Sequence, residues 1–166
     1  MRWPGSIPAA SIADACFSTV DILPTLCGLM GLEAPGSVEG MDLSHCALGK
    51  PGPEPEAAFL QGTGACAIWE DGYEWRALRD KRFTYAVYRV DGRELLFDNL
   101  ADPYQRRDLS REPSHSATLE NFRAMLRAKM ASLNDRFEAS TWYRDHWMEG
   151  ERRIVRSATG EFARSN

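Results

Sequence analysis

The sequence predicts an α+β chain: a small antiparallel sheet of three or four strands over about residues 65–98, packed by a long helix over about 116–137. Three observations predict it. An Asp91-Gly92 pair joins two strand-like runs, a strong hairpin signal because both residues tolerate positive φ. Leu119, Phe122, Leu126, Met130, Leu133 and Phe137 recur every three or four residues, the stripe of a helix with one buried side. A Gly-, Pro- and acid-rich stretch over 33–56 separates these elements from an earlier helix over about 21–30 and its flanking loops. The 166 residues suffice for one domain with an ordinary core.

The elements follow in chain order. Residues 1–16 read as a loop broken by Pro4-Gly5 and Pro8. Ile22, Leu23, Leu26, Leu29 and Met30 then lie at helical spacing. Asp21 fits its N-cap, Pro24 the first turn where a missing N–H costs little, and Gly31 the left-handed position past its end. This helix is apolar on most sides, so it expects protein around it. After the 33–56 linker, Ala65 to Trp69 is a short apolar run closed by Asp71-Gly72. Residues 75–79 alternate loosely, 83–88 form an aromatic and β-branched run, and 94–98 its hairpin partner. A turn-rich segment over 99–115 leads to the long helix, with Ser116 as its cap and Glu120 in its first turn. The tail from Thr141 carries Trp142, Tyr143 and Trp147 and then mixed charges. The expected organisation is therefore 1–56, 57–140 and a 141–166 tail.

Composition narrows the function classes. The chain is 43% hydrophobic and 27% charged, a globular balance. Twenty basic against twenty-four acidic residues give a net charge of -4, unlike the basic excess of a nucleic-acid binder. No apolar run approaches the ~20 residues that span a bilayer, so no membrane partner is expected. No signal peptide is visible, and the chain as written reads as cytoplasmic. Cys16, Cys27, Cys46 and Cys66 form no CxxC pair and read as reduced thiols.

Candidate chemistry is sparse. His45-Cys46 suggests a thiol with its base, but adjacent side chains on a regular element point apart. A hydrolase built on Cys46 or Cys66 is the remote alternative. His115 reads as a local capping or surface residue, and the three histidines (His45, His115, His146) show no metal-ligand spacing. Asp98-Asn99 supplies two oxygen ligands where Ca²⁺ takes about 6–8, and both are ordinary turn residues. Gly62-Thr63-Gly64 lacks the strand-then-helix setting of a phosphate loop. Trp69, Tyr73, Trp75 and Arg76 either pack the sheet or line the rim of a sugar site. Residue chemistry alone thus gives an α+β unit without a self-contained active site, equally readable as a free-standing binding module.

Five phrases, in order, resemble the C-terminal portion of the type I sulfatases of the alkaline-phosphatase-like superfamily. Arg2-Trp3-Pro4-Gly5-Ser6-Ile7-Pro8 looks like the family's R-W-P-G-x-I-P segment. Ser18 through Leu26, closing at Gly31-Leu32, looks like its S-x-x-D-I-x-P-T-L…G helix. Val38-Glu39-Gly40-Met41-Asp42-Leu43 follows the x-x-G-x-S-L continuation, with Asp42 where Ser is usual. Residues 75–85 resemble R-x-x-R-x-x-R-Y-K-Y, and residues 94–109 resemble E-L-Y-D-L-x-x-D-P-x-E-x-x-N-L.

The resemblance implies sulfuric ester hydrolysis by a formylglycine made from Cys or Ser in C/S-x-P-x-R, beside a Ca²⁺ held by Asp and Asn. None of the four cysteines begins that motif, and Ser6-Ile7-Pro8-Ala9-Ala10 ends in Ala where Arg is needed. The paired-Asp and Asp-Asn-Gly/His ligand motifs are also missing. No catalytic, cofactor-binding or metal residue is therefore assigned; Trp75 and Arg76 are the candidate rim residues. The implied partner is the N-terminal catalytic part of a sulfatase, and the implied substrate a sulfated small molecule or glycan. A C-terminal fragment, inactive alone, should leave Ile22, Leu26 and Leu29 exposed; a free-standing module should cover them.

Overall fold

The computed structural model describes residues 1–63 and 71–146, and the two short strands 148–149 and 152–153. The expected strand at Ala65–Trp69 and the candidates Cys66, Trp69 and Trp147 lie outside these residues. The chain forms α1 (Ile22–Met30), α2 (Ser44–Ala47), β1 (Ala58–Thr63), β2 (Glu74–Arg79), β3 (Phe83–Tyr88), β4 (Glu94–Asp98), α3 (Ser116–Ser132), α4 (Ser140–His146), β5 (Met148–Glu149) and β6 (Arg152–Arg153). The α+β class holds, with a four-stranded sheet in the order β1-β2-β3-β4. Its first strand starts at Ala58, earlier than the sequence suggested, just after the Pro-rich linker. The chain divides into two compact units: residues 1–58 with 79–82, and residues 59–78 with 83–166.

In the first unit, α1 ends as expected. Gly31 takes φ 69°, and the N–H groups of Gly31 and Leu32 donate to Gly28 and Cys27 carbonyls at 3.2 and 2.9 Å. Its start differs. The Asp21 carboxylate does not cap α1; it accepts the Ser18 N–H at 2.7 Å and the Met41 N–H at 2.8 Å. Those two backbone donors hold it away from the helix. Thr25 Oγ1 accepts the Leu43 N–H at 3.0 Å, so α1 is tied to the 41–43 segment by two side chains. Gly40 permits the approach: a Cβ there would lie 2.1 Å from the Val20 carbonyl oxygen. Cys16, Cys27 and Leu43 fill the interior.

In the second unit, the Asp91-Gly92 hairpin forms with Gly92 at φ 65° and the Arg93 N–H donating to Asp91 Oδ1 at 3.0 Å. It sets the antiparallel register Phe83↔Asp98 through Val87↔Glu94. α3 buries Leu119, Phe122 and Leu126. Phe122 meets the rings of Phe83 and Tyr85 at 6.2 and 6.1 Å, an edge-on and a tilted pair that seat the helix on β3. α3 stops at Ser132 rather than 137. Asn134 turns to φ 52° and the Asp135 N–H reaches back to Met130 O at 2.8 Å. The Asp135 carboxylate is held by Arg76, which bends the chain off the helix axis. Ser116 is the first helical residue rather than the cap, and Glu120, past the first turn, pairs with Arg123.

Candidate functional site

The feature that stands out in the first unit is the outer face of α1. Pro24, Thr25 and Cys27 turn inward. Ile22, Leu26 and Met30, spaced by four residues, share the opposite face and are 42%, 41% and 53% exposed. Leu23 on the same side is 50% exposed, and Leu32 just past the end is 59% exposed. Leu29 is half-buried. Soluble helices place polar side chains on such a face; this one carries four large apolar side chains and no charge. An apolar surface of this kind marks an interaction site. Among the described residues, no helix is long and apolar enough to cross a membrane.

The structure brings His45 and Cys46 together, against the expectation drawn from their adjacency. Their Nε2 and Sγ atoms are 3.2 Å apart within the single turn of α2. A turn this short does not impose the divergence of a long helix. Burial, followed by the Glu54 charge, pushes the Cys46 thiol up from its ordinary value. An activated nucleophile needs the opposite shift. Burial also raises Cys16, whose thiol donates to the Glu56 carbonyl at 3.6 Å. Cys16, Cys27 and Cys46 are free thiols.

Arg76, expected at a rim, is 1% exposed. Its Nε and Nη2 donate to the two Asp135 carboxylate oxygens at 2.5 and 3.0 Å, a bidentate pair. Its Nη1 donates to the Trp75 carbonyl at 3.1 Å, and its guanidinium lies 4.7 Å from the Phe137 ring centre. Trp75 is half-buried, with its indole over Gly62, where a Cβ would meet Nε1 at 2.2 Å. Tyr73 is 54% exposed. Glu74 nearby is fully buried and accepts the N–H groups of Ser140 and Gly72 at 2.7 and 3.0 Å. Burial pushes its carboxyl up, but those donors outweigh it and leave the group below the usual range. Asp71 accepts both the N–H and the hydroxyl of Thr141, each at 2.9 Å. These carboxylates anchor the segment after α3 to the sheet; they are structural partners, not a reactive pair.

Asp98 and Asn99 serve the turn after β4. Asp98 Oδ1 accepts the Leu100 and Ala101 N–H groups at 3.1 Å, and Asn99 exchanges hydrogen bonds with Thr84 and Gln105. His115 packs edge-on against Phe83, and His146 stacks on Trp142. Among the described residues, no group of three or more His, Cys, Asp or Glu is placed to hold a metal ion. The described residues do not fit the Ca²⁺ that the sequence resemblance implies, and the sequence holds no C/S-x-P-x-R from which a formylglycine could form.

Comparison with known proteins places this architecture. No protein-family model matches the chain. The chain is 33% identical over 147 residues to an ulvan-active sulfatase of Formosa agariphila, matching 86% of this chain and 28% of that one. It is 30% identical over 113 residues to a delta 4,5-hexuronate-2-O-sulfatase of Bacteroides thetaiotaomicron, matching 65% of this chain and 22% of that one. The solved structure of a 2-O GAG sulfatase superposes with a TM-score of 0.63 at 26% identity, over 70% of this chain and 25% of that one. The chain thus spans about a quarter of the length of these relatives.

Proposed function

Starting from the chain's kinship with the C-terminal portion of the sulfatases, we propose that it completes a sulfatase by packing on its catalytic portion and has no sulfatase activity alone. The observation that carries this reading is the exposed apolar face of α1: Ile22, Leu23, Leu26 and Met30. A helix that is apolar outward as well as inward is built for burial on both sides. The occupant we assign to the outward side is the catalytic portion. The relatives hold roughly three-quarters of their length outside the matched region, ample protein to cover one helix.

The division of labour follows from the residues. The formylglycine nucleophile and the Ca²⁺ ligands of a sulfatase come, in this reading, from residues outside these 166. Residues 1–56 form the edge of the catalytic domain, 57–140 the C-terminal subdomain and 141–166 a tail. The boundary of the compact units at Ala58 supports the first division. Trp75 contributes to the rim of the substrate site. Arg76 acts one step back, fixing the chain at Asp135 and Phe137 from beneath. The relatives named for ulvan and for a 2-O-sulfated hexuronate support a sulfated, acidic polysaccharide as the substrate class.

The test is turnover of 4-nitrophenyl sulfate with Ca²⁺ present. The purified chain should show none. Co-expression with a sulfatase catalytic portion as a separate polypeptide should restore it. Robust hydrolysis by the chain alone overturns the reading.

A further inference from the structure

We propose that residues 138–146, the lead-in to α4 and α4 itself, form a lid on the β1–β2 end of the sheet that opens as a unit while the sheet and α3 stay folded. In this assignment Phe137 is the hinge, the Arg76–Asp135 pair is the fixed post before it, and Glu74 and Asp71 are a latch that acid releases. The lid belongs to the second unit alone and does not depend on the sulfatase reading.

The first observation is a bend held firmly on one side. Phe137 takes φ 56°, a conformation that strains the backbone of a bulky residue. Its N–H donates to Asp135 Oδ1 at 2.8 Å, and its carbonyl accepts Arg89 Nε at 2.8 Å. Asp135 is in turn gripped by Arg76 through both carboxylate oxygens. The chain up to Phe137 is therefore tied to β2 and to the end of β3, and the strain sits where that tie ends. Hinges are single positions of this kind, which absorb a change in φ and ψ for the segment beyond them.

The second observation is the kind of contact that holds the segment beyond. Glu74 Oε1 accepts the Ser140 N–H at 2.7 Å, and Asp71 accepts the N–H and the hydroxyl of Thr141, each at 2.9 Å. Ser140 Oγ donates to the Thr63 carbonyl at the end of β1, at 2.6 Å. Ser140 and Thr141 open α4, so both carboxylates meet N–H groups that a helix leaves unpaired within itself. Apolar burial adds little. Glu138, Ala139 and Thr141 are half-buried, and the buried Ser140 is small and polar. Trp142 is exposed and stacks on His146 of its own helix, ring centres 4.4 Å apart. A segment held this way opens at less cost than a sheet on which α3 seats Phe122.

The third observation is the charge at the latch. Glu74 is fully buried. Arg76 lies two residues along β2 on the same face, paired with Asp135. Arg89, at the end of β3, donates its N–H to the Glu74 carbonyl at 2.9 Å. Asp71 precedes the strand, and the first turn of α4 covers it. Burial raises the Glu74 carboxyl, but the N–H groups of Ser140 and Gly72 and the Arg89 charge outweigh it and leave it below the usual range. The closed lid thus selects the ionised form. A carboxyl depressed in this way supports closure above the free value of about 4.3 and loses that support as pH falls through the value in the closed state.

The experiment is hydrogen exchange on the full chain, read by mass spectrometry at about pH 6 and about pH 3.5 and corrected for intrinsic rates. The amides of residues 138–146 should be less protected than those of β3 and α3 at both pH values. Acidification should lower their protection about fivefold more than that of β3. Glu74→Gln/Asp71→Asn, with an uncharged latch, should lower it about tenfold at the higher pH, and acid should then cause no further loss specific to the segment. Protection equal to that of β3, equal losses in both on acidification, or a double variant that matches wild type overturns the proposal. The wild-type comparison decides by itself should the double variant fail to fold.

Discussion

Replacing Ile22 and Leu26 with Ser separates a docking face from a merely exposed one. Full burial of a Leu, Ile or Met side chain contributes about 1.5–3 kcal/mol. Ile22 and Leu26 retain 42% and 41% of their exposure, so docking on a partner has about 1 kcal/mol per residue still to gain. Ile22→Ser/Leu26→Ser should therefore weaken association with the catalytic portion by roughly 2 kcal/mol, close to thirtyfold. Stability of the chain itself should fall by a similar ~2 kcal/mol, because the inner halves of both side chains are lost as well. Leu43→Ala is the contrasting change. Leu43 is 2% exposed, so its loss should cost about 2–5 kcal/mol of folding and leave docking affinity untouched wherever the chain is still folded. Urea unfolding reads the first quantity and co-purification titration the second. Dye binding supplies a third readout: the wild-type face should light up ANS, and the double variant should not. A wild-type chain that stays dark to ANS, or a double variant that docks as tightly as wild type, refutes the reasoning and favours a free-standing module.

Two further outcomes follow from the polar interior. Asp135→Ala leaves the Arg76 guanidinium buried without its carboxylate, so unfolding free energy should fall by about 3–5 kcal/mol, whereas Arg76→Met/Asp135→Leu should recover most of it in urea titrations. Glu94, bonded to Arg123 and to the Tyr85 hydroxyl, is held below the usual carboxylate range chiefly by the Arg123 hydrogen bonds. A carboxylate depressed in the folded state stabilises above its unfolded pKa of about 4.3 and loses that contribution as pH falls through the folded value. Chemical denaturation across that window should show a shallower acid-side slope in Glu94→Gln, and an unchanged slope would remove Glu94 from the account of acid stability.

What was legible in the sequence was what neighbours in the chain decide. The Asp91-Gly92 hairpin, the Gly31 stop and the Leu119, Phe122, Leu126 stripe are local rules, and the structure obeys them. What was not legible depends on distant partners. The end of α3 is set by Asp135, whose partner Arg76 lies 59 residues upstream. The same pairing turned a candidate rim arginine into a buried one. Asp21 had the right type and position to cap α1, but the Met41 N–H, twenty residues away, competes for its carboxylate. His45 and Cys46 meet because α2 is a single turn, a length that no periodicity reveals.

The candidate surface was legible for a different reason. Ile22, Leu23, Leu26, Leu29 and Met30 make α1 apolar on most sides, a pattern readable without any distant partner. The fold then spends Pro24, Thr25 and Cys27 on its own interior and leaves Ile22, Leu23, Leu26 and Met30 outward. A helix optimised for this unit alone would carry Lys or Glu at those four positions, as α3 carries Glu120, Arg127 and Lys129 on its own outer side. The two helices lie in one chain under one solvent, so solubility does not account for the difference. The proposed docking on a sulfatase catalytic portion would account for the difference, because it gives α1 a second packing surface.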